Sequence, residues 1–425
     1  MLTPVQRGSK SSAQKDYELQ YATTVLWLIC LFTVVGCQSQ DPANIDLAVP
    51  ASSTVEEIYI ATTRARSEDA IEIFSGERGR GVDHAIVDVS IPPVHKTGSL
   101  ERPRFGAPSP SLHITLADSS YVDSDEQFVN SVNAELDSRP LKERDILLFV
   151  HGYNNGFSDS VLRYAQFAHD SQFNGVRVLF TWASRGSALA YFYDRESATI
   201  ARDGLEDTLK VLAKTKVRKI HILAHSMGNW VAMESLRQLQ IEGDATLNGK
   251  IGEIVLASPD IDVDVFKSQM SRLGRPAKPY NLLISTDDRA LIVSQRLSGN
   301  LPRLGNYTED NEISDLGIIV YNITDVQSDD ALRHGKFASA PEIVQLLGSR
   351  LSEGNKLAEN NVRFSDRLQK LGDNIVGVVA ATGEIVVYTP QTVLVHPDQI
   401  ITAPVEVLED TIKQIELNTD KRQSY

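Results

Sequence analysis

The alternation of short apolar runs with helical segments is the feature that most constrains the fold of this chain of 425 residues. Most of the later runs are apolar throughout, which is typical of central strands covered on both faces. The runs are 58–61, 85–91, 112–116, 146–150, 177–181, 219–223, 253–257, 281–285 and 317–323. Segments with helical periodicity lie between them, at 124–137, 158–170, 194–213, 227–240, 263–272 and 341–351. This order predicts an α/β fold with three layers around a mostly parallel sheet of about eight strands, with the first three forming an antiparallel edge.

The same pattern divides the chain into segments. The alternation covers residues 55–351, which we predict to form one domain. Within it, residues 95–111 are rich in Pro, Gly and Ser and predict a loop. Residues 352–425 follow a different pattern, with a helix and then a hairpin at 374–388, and they predict a small C-terminal α+β appendage.

The N-terminus predicts export. Residues 22–36 are almost wholly apolar and end at Cys37. This stretch is shorter than the roughly 20 residues of a membrane span and suits the core of a signal peptide. The sequence Val-Val-Gly before Cys37 resembles a bacterial lipobox, so we expect a lipoprotein-type signal peptide over 1–37 and a tether over 38–54. The chain would then be lipid-anchored in the bacterial cell envelope, at the outer membrane or facing the periplasm. An uncleaved N-terminal anchor helix is the alternative.

A candidate nucleophile lies in the sequence RKIHILAHSMG, which reads as an apolar strand, a tight turn and the start of a helix. In a nucleophile elbow the serine occupies a strained strand-to-helix turn, and the residues two positions away must be small. Ala224 and Gly228 meet this requirement around Ser226, although glycine is usual where Ala224 stands. The alternative is a structural serine at a strand end.

A nucleophilic serine needs a general base and a carboxylate that orients the base, in the chain order serine, acid, histidine. Two histidines follow Ser226, and of these His334 lies in a polar loop after the last strand of the pattern, whereas His396 belongs to the tail. The acid should follow an intermediate strand. Asp288 is the preferred candidate, and the alternatives are Asp287 and Asp260.

The oxyanion of the tetrahedral intermediate needs two backbone N–H donors. One is expected from Met227, directly after the serine. The other is expected from the loop HGYNNGF after the 146–150 strand, where Gly152 lets the N–H of Tyr153, or that of Asn154, face the serine.

Taken together, HGYNNGF, TWASRG, YDRESA, AHSMGNW, SPDID, STDDRAL and HGKF resemble a bacterial family of α/β-hydrolases of unknown function, over residues 55–350. Members of this family are often predicted lipoproteins or exported proteins with inferred esterase or lipase-like activity. The resemblance implies an α/β-hydrolase fold with Ser226 as nucleophile, Asp288 as acid and His334 as base. It also places Trp182 and Arg185 at the carboxyl edge of the sheet, where they either line the substrate site or form a packed Trp and a solvated Arg.

These features predict a serine hydrolase that cleaves a small ester or acyl substrate through an acyl-enzyme, with no metal or organic cofactor. The alternatives are an acyltransferase and a non-catalytic envelope lipoprotein that uses the fold to bind a partner. The net charge of −14 argues against nucleic acid as a partner, and we expect the membrane to be contacted through the lipid on Cys37. The sequence does not fix an oligomeric state.

Overall fold

A computed structural model describes residues 49–352 of this protein apart from 69–71, 309 and 329. It also describes the backbone of two short strands, at 378–379 and 385–386, that extend the sheet. The strands in chain order are β1 (Thr54–Arg66), β2 (Phe74–Ile91), β3 (Thr115–Val122), β4 (Ile146–Val150), β5 (Val176–Thr181), β6 (Ile220–His225), β7 (Ile251–Ala257), β8 (Tyr280–Ile284), β9 (Ile318–Asn322), β10 (Val378–Val379) and β11 (Ile385–Val386). Their order across the sheet is β11-β10-β9-β8-β7-β6-β4-β5-β1-β2-β3.

The centre of the sheet is parallel. Strand β1 pairs in parallel with β5, and the parallel pairing continues through β4, β6, β7 and β8 to β9. Strands β2 and β3 add an antiparallel meander at one edge, and β10 pairs antiparallel with β9 at the other. The carboxyl ends of the parallel strands therefore meet at one edge of the sheet, and the loops that follow them converge there.

Both faces of the sheet are covered, as β4 illustrates. All five residues of this strand are buried. Ile146, Leu148 and Val150 pack into one apolar core, whereas Leu147 and Phe149 pack into the other. Because successive side chains of a strand point to opposite faces, this alternation defines a three-layer structure.

The helices are α1 (Asp125–Ser138), α2 (Phe157–Asp170), α3 (Tyr191–Ala213), α4 (Gly228–Glu242), α5 (Val263–Leu273), α6 (Arg289–Leu297), α7 (Asp310–Ser314), α8 (Lys336–Ser339) and α9 (Pro341–Ser352). Buried residues of α1, α3, α4 and α5 belong to the first core. Those of α2, α8 and α9 belong to the second. None of the helices in the described part of the chain is long and apolar enough to cross a membrane.

The predicted α/β architecture is confirmed. All six predicted helices are present, each with boundaries within about three residues of the expected ones. Residues 95–111 form neither helix nor strand, as their composition predicts. Asp262 caps α5 by accepting the N–H groups of Asp264 and Val265, which is the capping role that its position suggests.

The structure differs from the prediction in four respects. The described strands number eleven instead of about eight. Strand β2 begins at Phe74, whereas the apolar pattern predicts a strand only over 85–91. The earlier part pairs with β1 in a hairpin, but its sequence, GERGRG, is polar and therefore gives no apolar signal. The third strand lies at 115–122 instead of 112–116. Its second half is polar and largely exposed, so the apolar pattern does not reveal it. The short helix α6 directly after Asp288 was not predicted.

Several predictions concern residues outside the described part. The signal peptide, Cys37 and most of the tether lie in residues 1–48, which are not described. Most of the proposed appendage at 352–425 is also outside it. Four residues of the predicted hairpin are described by their backbone: 378–379 pairs antiparallel with 385–386 and continues the sheet beyond β9.

Candidate functional site

The turn between β6 and α4 carries the candidate nucleophile. Ser226 has a φ of 54°, a left-handed conformation that residues other than glycine rarely adopt. Its N–H donates to the carbonyl of Ala257 at 3.0 Å, so the neighbouring strand β7 holds the turn. A Cβ at Gly228 would lie 2.3 Å from the carbonyl oxygen of His151. Glycine is therefore required for α4 to begin this close to the end of β4.

The loop after β4 packs directly against the serine. A Cβ at Gly152 would lie 2.6 Å from the Cβ of Ser226, so no larger residue fits there without displacing the serine. The buried ring of His151 fixes this glycine, because its Nδ1 is 2.8 Å from the Gly152 carbonyl and its Nε2 accepts the N–H of Trp182 at 3.0 Å. Burial and, to a smaller extent, the nearby charge of Arg64 lower the pKa of His151 to about 3, so this ring is neutral.

The structure distinguishes between the two amides of the loop considered for an oxyanion hole. The N–H of Asn154 donates to Oδ2 of Asp194 at 3.2 Å and is thus engaged. The N–H groups of Tyr153 and Met227 have no hydrogen-bond acceptor among the residues that the structure describes. Of the predicted donors, those of Tyr153 and Met227 are available to a developing oxyanion.

Asp288 and His334 come together from different loops of the carboxyl edge. His334 Nδ1 is 2.7 Å from Asp288 Oδ2. The other carboxylate oxygen of Asp288 accepts the N–H of Leu291 at 3.0 Å, so Asp288 is at once the N-cap of α6 and the partner of the histidine. The Asp288 side chain is fully buried, whereas that of His334 is 15% exposed. Within the described residues, neither His334 Nε2 nor Ser226 Oγ forms a hydrogen bond, so both atoms are available to a substrate.

Opposing effects act on the pKa of His334. Burial disfavours the imidazolium, but the charge and hydrogen bond of Asp288 outweigh it, with smaller contributions from Asp260 and Asp330. The net result is a pKa above the ordinary value for histidine. A histidine held in this way stabilises the proton that it receives.

His225 links the serine turn to the histidine loop. Its ring centroid lies 4.6 Å from that of His334, and its Nε2 donates to the His334 carbonyl at 3.1 Å. Burial, reinforced by the nearby His334, lowers the pKa of His225 well below the usual value, which leaves it neutral. Asp330 holds the same loop from the other side, since its Oδ2 accepts the N–H groups of His334 and Gly335 at 2.8 and 2.6 Å.

The two alternative acids have other partners. Asp287 accepts from Lys336 Nζ at 2.8 Å and from Arg333 Nη1 at 2.7 Å. Burial raises the pKa of Asp287, but the hydrogen bonds from Lys336, Ser285 and Arg333 outweigh it and hold this pKa below the usual value. Asp260 accepts from Ser294 Oγ at 2.6 Å and lies 3.3 Å from Nε of Arg303. Neither carboxylate is within hydrogen-bonding distance of His334.

The two residues suggested for substrate contact occupy different environments. Trp182 has no exposed surface; its indole N–H donates to the His151 carbonyl at 2.9 Å and its ring stacks on that of His151. It packs beneath the loop and does not line an accessible site, which agrees with the alternative of a packed Trp. Arg185 is solvated, pairs with Glu77 at 2.9 Å and stacks over the ring of Tyr193.

Three residues that hold the site together were not identified from the sequence: His225, Arg64 and Asp194. His225 directly precedes the serine in the motif AHSMG, which assigns it no role. Arg64 is a basic residue at the end of the buried segment 58–64 of β1, and Asp194 lies in the motif YDRESA. A buried charge in a strand and an acidic residue at a helix start were the available signals. The described residues contain no cluster of three His, Cys, Asp or Glu side chains that could bind a metal ion.

The chain matches a protein family in sequence and is similar to a solved structure. Residues 124–350, a little more than half of the chain, match the model of a family described as alpha/beta hydrolase of unknown function (DUF900). No curated protein matches the chain in sequence. Among solved structures, the chain is similar to an esterase from Pyrobaculum calidifontis (monoclinic form), with 12% identity over 80% of this chain and 93% of the esterase and a TM-score of 0.32. The extent of the family match, together with the sheet order and the serine turn, identifies the fold and the family. The chain belongs to the α/β-hydrolases of the DUF900 family.

Proposed function

We propose that this protein is a serine hydrolase that cleaves carboxylic esters through an acyl-enzyme, with Ser226 as nucleophile, His334 as general base and Asp288 as the orienting acid. The observation that carries the proposal is the 2.7 Å hydrogen bond between His334 and the buried Asp288, beside a strained turn that presents Ser226. Membership of an α/β-hydrolase family supports hydrolysis as the reaction class.

The first half of the reaction forms the acyl-enzyme. Ser226 Oγ attacks the ester carbonyl carbon while its proton passes to Nε2 of His334. Asp288 holds the Nδ1–H tautomer and stabilises the imidazolium. The carbonyl oxygen becomes an oxyanion, which the N–H groups of Tyr153 and Met227 bind. The bond to the leaving oxygen then breaks, and His334 returns the proton to the departing alcohol.

The second half releases the acid. A water molecule attacks the acyl carbon and gives its proton to His334. The same N–H groups hold the second oxyanion until the bond to Ser226 breaks and its Oγ regains the proton. The carboxylic acid leaves, and the enzyme returns to its starting state.

The rate should depend on pH through His334, which must be neutral to accept the serine proton. Because Asp288 raises the pKa of His334 above 6.5 despite burial, kcat/KM is expected to rise with pH through a midpoint above 6.5 and then to level off. Neutralising the carboxylate in Asp288→Asn should move the midpoint to lower pH. Initial rates on a soluble ester from pH 5 to 9 measure both the rise and the plateau. A wild-type midpoint at or below 6.5 would contradict the role of His334 as the base paired with Asp288.

Covalent labelling tests the proposal directly. The purified protein is treated with a fluorophosphonate, which reacts with activated serines, and the modified peptide is identified by mass spectrometry. We expect labelling at Ser226 together with turnover of nitrophenyl esters in a panel of rising chain length. A protein that is neither labelled nor active would instead be a binding module, and product formation that requires an added alcohol would indicate an acyltransferase.

We also propose that the chain is anchored by a lipid on Cys37 at the bacterial cell envelope. The support is the apolar stretch that ends in Val-Val-Gly-Cys. In cells fed labelled palmitate, we expect label on the wild-type protein and none on Cys37→Ser. Equal labelling of the two forms would exclude this anchor.

A further inference from the structure

The loop that carries the Tyr153 amide belongs to no helix or strand, so its shape depends on outside contacts. Residues 151–156 run between β4 and α2. Asn154 in this loop has a left-handed φ of 59°, which costs free energy in a residue other than glycine. Such a conformation persists only when the surroundings fix it.

A buried carboxylate fixes the amide side of the loop. Asp194, at the start of α3, has no exposed surface. Its Oδ2 accepts the N–H of Asn154 at 3.2 Å and the hydroxyl of Ser184 at 2.5 Å. Its Oδ1 accepts the N–H of Arg185 at 3.0 Å. The Ser184 hydroxyl in turn accepts the N–H of Asn155 at 3.0 Å, so two successive amides of the loop lead to one carboxylate.

A buried guanidinium fixes the carbonyl side. Arg64 on β1 is 1% exposed. Its Nη2 donates to the Asn155 carbonyl and its Nη1 to the Ser184 carbonyl, each at 2.8 Å, while its Nε donates to Thr181 Oγ1 at 2.8 Å. Burial lowers the pKa of Arg64 to about 10, against the charges of Glu72 and Asp194, so it stays charged at neutral pH.

Both charges therefore act on the same short stretch of backbone. The N–H of Asn155 donates to the Ser184 hydroxyl, which donates to Asp194. The carbonyl groups of Asn155 and Ser184 both accept from Arg64. Burying a cation and an anion is expensive, and packing alone would be served as well by apolar residues of similar volume. Their use here orients peptide groups, which apolar residues cannot do.

We infer that Arg64 and Asp194 are positioning residues that hold the Tyr153 amide in the geometry required to bind the oxyanion. The inference rests on the proposed hydrolase function. An amide fixed before the substrate arrives needs no reorganisation in the transition state, and loss of one oxyanion donor lowers kcat by roughly 10²–10³-fold. A donor that is misplaced by about 1 Å loses much of that effect.

Asp194→Asn is the sharpest variant, because it keeps the shape of the side chain and replaces one acceptor oxygen with a donor. We expect kcat for a nitrophenyl ester to fall about 10- to 100-fold, with KM changed by less than about threefold. Affinity for an aliphatic trifluoromethyl ketone, whose adduct with the serine carries an oxyanion, should fall by the same factor as kcat. The matched control is Asp207→Asn, an exposed carboxylate on the same helix, which should resemble wild type.

The outcomes separate the two proposals. If the wild type is not labelled at Ser226 by a fluorophosphonate, the hydrolase function itself fails. If the wild type is labelled but Asp194→Asn keeps the kcat of the control, or loses kcat without weaker ketone binding, the positioning role is wrong. Should Asp194→Asn not fold, Ser184→Ala, which removes only the hydroxyl between Asp194 and the Asn155 amide, provides the same comparison and should show the same parallel loss.

Discussion

Replacement of Ser226 by alanine is expected to lower kcat for nitrophenyl ester hydrolysis by roughly 10⁶-fold, the loss typical when the nucleophile of a catalytic triad is removed. The variant lacks the oxygen that bonds to the acyl carbon, so no acyl-enzyme can form. Ser226 Oγ forms no hydrogen bond within the described residues, and alanine pays a similar cost for the left-handed backbone. The midpoint of thermal unfolding should therefore change little.

The measurement compares steady-state hydrolysis and fluorophosphonate labelling of Ser226→Ala and wild type. A suitable control is Ser187→Ala, because Ser187 is an exposed serine in the loop after β5 at the same edge of the sheet. The control should be labelled and active. If Ser226→Ala keeps more than about a hundredth of the wild-type rate, a different nucleophile must carry the reaction.

Asp288→Asn is expected to lower kcat by about 10⁴-fold while leaving the fold intact. An asparagine can still accept the Leu291 N–H and cap α6, so the effect on stability should be small. It cannot hold the Nδ1–H tautomer of His334 or balance the charge of the imidazolium. This variant separates the two roles of Asp288, whereas alanine would remove both.

The same substitution at the alternative acids gives matched controls. Asp260→Asn and Asp287→Asn alter carboxylates whose partners are Ser294, Arg303, Arg333 and Lys336 and not His334. We expect losses of about tenfold or less in kcat for each, arising from small shifts of the neighbouring loops. If either control lost as much as Asp288→Asn and the latter did not, the acid would have to be reassigned.

The serine turn forms although its motif carries alanine at a position where glycine is usual. Ala224, where glycine is usual, is fully buried in β6, and the turn still forms. Around the serine, the structure requires glycine at Gly152 and Gly228, where a Cβ would lie 2.6 Å from the Ser226 Cβ and 2.3 Å from the His151 carbonyl oxygen. Glycine is thus needed where two backbone segments come into close contact. These contacts follow from the neighbouring positions of β4, β6 and β7 in the sheet.

The sequence by itself determined the central strands, the six longer helices and the chain order of the candidate site. Apolar runs such as 146–150 and the periodicity of the helices are local properties, so they predict strands and helices directly. The short motif around Ser226 and the count of histidines after it then indicated the serine and His334, because both depend on chain order alone.

Only the tertiary structure decided which distant groups meet. The contact of His334 with Asp288, and not with Asp287 or Asp260, depends on loops that follow different strands and on the cap of a helix that the sequence pattern does not reveal. The buried charges of Arg64 and Asp194 reach the loop after β4 from strand β1 and helix α3. Such contacts join residues far apart in the chain, and no local pattern encodes the distance between them.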